Sequence, residues 1–160
     1  MTELWNWKVD DDLVRVEVYQ ALAESLGRPV VPLGAHDPGR LPVGAVLADV
    51  WRRPGEFALS IDCYGPPVGL AEHTAVAALS RRLGRRCLLA DDTYDGTRHL
   101  LVSPDGTVRP VHLDVEETED GEVLRNERLC STAEPDCRGW SQCGQSRWAP
   151  DSVLPALVAA

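Results

Sequence analysis

Ala21-Leu22-Ala23-Glu24-Ser25-Leu26-Gly27-Arg28 recurs further along the chain as Ala78-Leu79-Ser80-Arg81-Arg82-Leu83-Gly84-Arg85. Each copy is an Ala/Leu-rich segment that ends in Leu-Gly-Arg. Each runs into a short apolar stretch, Pro29–Leu33 in the first and Arg86–Ala90 in the second. Tyr19, Leu22 and Leu26 fall on one helical face, and the matching positions are Val76, Leu79 and Leu83. Gly27 and Gly84 stand where a helix would stop in a left-handed residue. Before the first copy, Val14, Val16 and Val18 alternate with Arg15 and Glu17 in a strand-like way. The alanine-rich second copy decides for a helix in both. Asp10-Asp11-Asp12 offers cap candidates and negative charge at the amino end of the first helix.

The echo continues in kind on either side. After the first helix and short strand come Val46–Arg52, a Pro54-Gly55 turn and Phe57–Tyr64. In the latter, Phe57, Leu59, Ile61 and Cys63 share one face by strand alternation. After the second come His99–Ser103, a Pro104-Asp105-Gly106 turn and Thr107–Val115, with Val111, Leu113 and Val115 as the inward set. The predicted fold class is α+β. Two helix–strand–hairpin units form a largely antiparallel sheet with the helices on one face, followed by an irregular Cys/Trp-rich C-terminal tail. The helix between Phe57–Tyr64 and Cys87–Ala90 reads as a right-handed crossover, which allows a mixed sheet. Trp5 and Trp7 share a strand face. One domain over 1–160 is expected, with units at 12–64 and 69–115. An acidic loop and tail would fill 116–160 and close on a helix at Asp151–Ala159.

The chain of 160 residues is long enough for one real core. Its 44% hydrophobic and 26% charged content is that of a globular protein. Lys plus Arg number 16 against 25 Asp plus Glu, a net charge of −9. That balance opposes nucleic-acid binding, which needs clustered cations, and favours basic partners. Lys8 is the sole lysine, and with abundant Ala, Val, Gly and Pro this composition points to a GC-rich bacterial genome. The sequence shows neither a secretory signal pattern nor an apolar run of membrane-spanning length, so a cytoplasmic protein with no membrane contact is expected. Five cysteines is an odd number, which fits a reducing compartment better than a disulfide framework.

Cys130, Cys137 and Cys143 form the most suggestive cluster. Thiolates ligate zinc and iron–sulfur clusters, yet the close C-x2-C pair is absent. A fourth ligand from His112, Cys63 or Cys87 would have to arrive through the fold. Reduced cysteines in a loop or satellite core are the plainer reading, so the expected cofactor is none, with zinc as the alternative. Asp91-Asp92-Thr93-Tyr94-Asp95-Gly96 has calcium-loop features but places Val102 where the bidentate Glu belongs, and reads as an acidic turn. The histidines at 36, 73, 99 and 112 are scattered. No H-E-x-x-H, G-x-S-x-G, P-loop or G-x-G-x-x-G is present, so no catalytic residues are assigned. A site assembled in space around Cys63, His73, His99 and Asp62 is the enzymatic alternative. The basic knot Arg81-Arg82 with Arg85-Arg86 complements a helix carboxyl end.

The order of elements over residues 12–115 resembles two groups. One is the small acidic chaperones of bacterial secretion systems. The other is the small bacterial immunity proteins that neutralise a toxin by binding it. The Cys/Trp-rich tail stands where such a chaperone would carry a dimerising helix. The resemblance implies a non-catalytic protein-binding module acting by stoichiometric occlusion of another protein with a basic surface. Asp114, Glu116, Glu117, Glu119, Asp120 and Glu122 are the expected contacts, with Trp140 and Trp148 as apolar anchors. A metal-binding or redox protein centred on Cys130, Cys137 and Cys143 is the alternative.

Overall fold

A computed structural model of the chain describes residues 3–34, 37–90, 97–134, 137, 143, 151 and 154–155. The elements are β1 (Leu4–Val9), α1 (Arg15–Leu26), β2 (Val30–Pro32), a 3-10 turn (Pro38–Arg40), β3 (Val46–Arg52) and β4 (Leu59–Tyr64). Then follow α2 (Glu72–Leu83), β5 (Cys87–Ala90), β6 (Arg98–Val102), β7 (Thr107–Thr118), β8 (Gly121–Leu129) and β9 (Leu154–Pro155). They make one sheet in the order β2-β3-β4-β1-β5-β6-β7-β8, with β9 added to β7. The architecture is α+β, dominated by strands.

The echo is structural. Val18, Ala21, Leu22 and Leu26 are buried on α1 while Val14 and Val16 stay exposed, so the 3.6-residue period overrides the valine alternation. Gly27 and Gly84 both end their helices at φ 65°, and Arg28 N and Arg85 N reach back to Ala23 O and Ser80 O. These are matching left-handed caps. The two units lie side by side, β2-β3-β4 and β5-β6-β7, in the same order across the sheet and with β1 between them. They differ at one joint: β2 pairs parallel with β3, whereas β5 pairs antiparallel with β6. The helix after β4 does cross over to β5, but β1 intervenes and pairs antiparallel with both. The sheet is therefore mixed because of β2–β3.

Both helices lie on one face, over a core that includes Trp5, Trp7, Val9, Leu59, Ile61 and Cys63. A second core of Phe57, Leu88, Leu101, Val111, Leu113 and Leu124 fills the opposite face. Phe57 precedes β4 and departs from the expected set, packing opposite Leu59, Ile61 and Cys63. Val111 and Leu113 are inward on that second face, and Val115 is exposed. The sheet curls until the turn between β3 and β4 meets β8. Gly55 bridges Leu124, and Arg53 Nη2 donates to Glu122 O at 2.8 Å.

Further expectations are corrected. Asp10, Asp11 and Asp12 do not cap α1; they pair with Arg86, Arg85 and Arg15, so two arginines of the basic knot are held by these carboxylates. Arg82 pairs with Glu24 of α1 at 2.7 Å. The acidic stretch at 116–122 is no loop: it is the end of β7, a tight turn at Glu119-Asp120 and the start of β8. A strand edge solvates carboxylates as well as a loop does, and Leu124 anchors the arm in the second core. Leu154–Pro155, expected in a closing helix, is a strand; a proline there would remove a helical N–H. Asp151, at the expected start of that helix, is a turn residue at φ 64°, and its remaining positions lie outside the described residues.

Gly84→Ala, in open space, is expected to cost about 1 kcal/mol from the left-handed backbone alone. At Gly55 (φ 97°) a Cβ would meet Val123 Cγ1 at 2.8 Å and Leu124 O at 3.0 Å. Gly55→Ala should therefore cost about 2–3 kcal/mol. Urea denaturation of the two variants checks the ordering.

Candidate metal centre

Strand alternation on β7 sends Val108, Pro110 and His112 to the helix side of the sheet and Val111 and Leu113 to the other. Arg98 of β6 is the register partner of His112 and so shares its face. On the other side of β7 the register slips. Asp114 faces Arg125, yet His112 faces Arg128, so Asn126 and Glu127 together oppose Leu113. Asn126 takes φ 56° to make this bulge. The slip carries chemistry, because a one-residue shift moves every later side chain to the other face. Cys130 N donates to Pro110 O at 3.0 Å, which sets Cys130 opposite Pro110 and on the face of His112. Without the bulge Leu129 would hold that place.

The tail leaves the sheet at Cys130 and is tied back to it. Asp151 N donates to Cys130 O at 2.8 Å, Thr132 donates from its backbone N–H and its hydroxyl to Asp151 Oδ2, and β9 pairs with Thr107 and Val108. Within this excursion Cys137 and Cys143 come down onto β7. His112, Cys130, Cys137 and Cys143 are all buried, with one ligand atom from each lying within 4.8 Å of the others. Cys137 Sγ is 3.4 Å and Cys143 Sγ 3.7 Å from His112 Nε2. On the far side of the ring, Nδ1 is 3.1 Å from Thr97 Oγ1. An Nδ1–H donated to that hydroxyl leaves the Nε2 lone pair facing the sulfurs.

Burial and a nearby cation act in opposite directions on the cluster, and burial is the larger effect. Burial pushes the thiols of Cys130, Cys137 and Cys143 up. The guanidinium of Arg98, itself buried, opposes this at Cys130 by hydrogen bond and charge, and at Cys143 by charge. The other two cysteines have no such company. Burial pushes Cys63 up to about 12 and Cys87 higher still, and both sit in the main core as inert thiols. All five cysteines are free of disulfides.

The structure thus joins the three predicted cysteines and selects His112 from the candidates for a fourth ligand. The expectation of no cofactor is displaced, since this group lies close enough to bind one metal ion. Thr97 and Arg98 went unnoticed in the sequence. Their only signal was strand alternation combined with a pairing register that spacing does not reveal. Asp114, Glu116, Glu117, Glu119, Asp120 and Glu122 are exposed on the β7–β8 hairpin. Glu116 pairs with Arg125 and Asp114 with Arg128. Trp140, Trp148, His36 and the 91–96 segment lie outside the described residues. The residues of the enzymatic alternative do not converge. Cys63 is on the helix face of β4. His99 is on the opposite face of β6, three strands away, in a shallow cleft with Lys8 and Glu122. Asp62 accepts from Asn6, and His73 is on α2. Among the described residues, no helix is long and apolar enough to cross a membrane. No family model, curated protein or solved structure matches the chain, and the site is read from its own geometry.

The bulge has a direct test. Asn126→Gly keeps the left-handed residue but gives up the exposed hydrogen bond from Asn126 Nδ2 to Asp114 Oδ2, and should cost less than about 1 kcal/mol. Asn126→Val places a β-branched side chain there and should cost about 1–2 kcal/mol by urea denaturation.

Proposed function

We propose that the chain is a metal-binding domain in which His112, Cys130, Cys137 and Cys143 hold one structural zinc ion. The observation that carries this is the convergence of four buried soft or borderline ligands from β7, the end of β8 and the tail. Zinc takes sulfur at about 2.3 Å and imidazole nitrogen at about 2.0 Å, so neighbouring ligands of a tetrahedral ion lie about 3.5–3.8 Å apart. The two sulfur–nitrogen separations, 3.4 and 3.7 Å, are close to that edge. A cluster of two or more irons would need its ligands spread wider. Three thiolates and a neutral imidazole around a divalent ion carry one net negative charge, which the buried Arg98 balances. All four positions are filled by protein, the mark of a structural site and not of a catalytic one. When bound, the ion staples the tail to β7. Thr97 orients His112 as its outer partner.

Protein purified under reducing conditions should carry close to one zinc per chain by elemental analysis. Cys137→Ser should lose it, and Thr97→Val should weaken its affinity roughly tenfold to a hundredfold. Chelation should make residues 131–153 cleavable by protease while circular dichroism keeps the helices and sheet, whose two cores do not include the cluster. Metal-free protein with a protease-resistant tail would overturn the proposal.

A second reading concerns partners. Glu117, Glu119 and Asp120 at the tip of the β7–β8 arm are exposed and, among the described residues, have no ion-pair partner. Such a tip suits docking to a basic protein surface, and the non-catalytic binding role is proposed on this ground. With a partner identified by pull-down, reversing these three charges should slow association about tenfold and flatten its salt dependence. Unchanged kinetics would contradict it.

A further inference from the structure

Lys8, the sole lysine of the chain, lies on β1 between Trp7 and Val9. Those two face the main core, so strand alternation turns Lys8 to the sheet face away from the helices. There the curl of the sheet leaves a cleft of about 270 Å³. Lys8, Thr97, His99 and Glu122 line it, and Val115 and Leu124 give it an apolar wall.

The company Lys8 keeps is unusual for an ammonium. Its Nζ donates to a neutral amide oxygen, Asn6 Oδ1, at 2.9 Å, and Asn6 in turn donates to Asp62. Among the described residues Lys8 makes no ion pair. The guanidinium of Arg53, tied to Glu122 O, adds a like charge nearby. A half-buried lysine with an amide for its partner and a cation beside it is held against its preference for the charged form. Burial first and Arg53 second push its pKa down to about 8, against weaker upward pulls from Glu122 and Asp62. At pH 7 about one such amine in ten is unprotonated, against fewer than roughly one in a thousand for an ordinary lysine. A neutral amine lining a cleft is a nucleophile, and a carbonyl carbon is the partner with which it reacts reversibly.

We propose that this cleft binds a small aldehyde or ketone, which Lys8 holds as an imine. The lone pair of Nζ forms the C–N bond, and a proton passes from nitrogen to the carbonyl oxygen to give a carbinolamine. That hydroxyl then leaves as water while nitrogen gives up its second proton, and the C=N bond closes. Amine and carbonyl thus become imine and water, and no oxidant or reductant is consumed. His99 and Glu122 are the proton carriers that line the cleft, and Val115 and Leu124 would hold the organic body. The proposal does not rest on the zinc reading, since Lys8 is on β1, on the sheet face opposite His112.

The test incubates the full chain with butanal and cyanoborohydride, which reduces an imine to a stable secondary amine, and maps the adducts by peptide mass spectrometry. At pH 7 Lys8 should be labelled at least about tenfold faster than in the chain unfolded in guanidinium chloride. The rate should saturate as butanal is raised, which separates a binding site from an amine that is merely accessible. It should also climb steeply between pH 6 and about pH 8, where an ordinary lysine is still protonated. Lys8→Arg keeps the charge, lacks the reacting amine and should abolish the adduct on the β1 peptide. Two results would each overturn the proposal: Lys8 labelled no faster than in the unfolded chain, or a rate that stays linear in butanal.

Discussion

β1 lies in the middle of the sheet and joins the two halves of the molecule along both its edges. Leu4–Val9 pairs with β4 through six registered positions, and Trp7–Val9 pairs with β5. Trp7 is wholly buried at this seam. Its indole N–H donates to Glu72 Oε1 of α2 at 2.9 Å, so burial leaves no polar group unpaired. Trp5 stacks on it with ring centroids 5.6 Å apart. Because β1 must wait for β4 and β5, the central pairing is non-local, and its loop-closure entropy is spent before the sheet is whole. The ion pairs of Asp10 and Asp11 with Arg86 and Arg85 secure the same junction at its exposed end, where they add little energy but fix direction.

The proposed metal centre would be a second closure, made at the far side of the sheet. The fold needs none of its four ligands for either hydrophobic core. What it needs is a reason for three reduced thiols, an imidazole and a guanidinium to be buried in one place. On the proposed reading a divalent ion would answer that demand: it would replace the solvation that the thiolates lose and leave a charge that Arg98 would cancel. The bulge at Asn126 belongs to the same account. It weakens the β7–β8 ladder locally, and its return is to turn Cys130 onto the face of His112.

Much of the fold was legible in the chain. Gly27 and Gly84 end helices as Leu-Gly-Arg suggested, and Val46–Arg52 and Cys87–Ala90 are strands at the expected bounds. Errors came where side-chain pattern was asked to give pairing. Phe57 continues the alternation of Leu59 and Ile61 in sequence, but the chain turns between them and sends it to the other face. The acidic run looked like a loop because charge hides strand periodicity at a solvated edge. The cysteine spacing gave the three sulfurs but did not choose His112 over Cys63 or Cys87, and it was silent on Arg98. His112 and Arg98 become neighbours of the sulfurs only through the β6–β7 register and a bulge whose marker, an asparagine in the left-handed region, is a weak sequence signal.

The most direct measurement is X-ray absorption at the zinc edge on protein isolated without added metal. The account predicts a single four-coordinate ion with three sulfur neighbours at about 2.3 Å and one nitrogen at about 2.0 Å. An absent edge, or a first shell of oxygen and nitrogen alone, would contradict it.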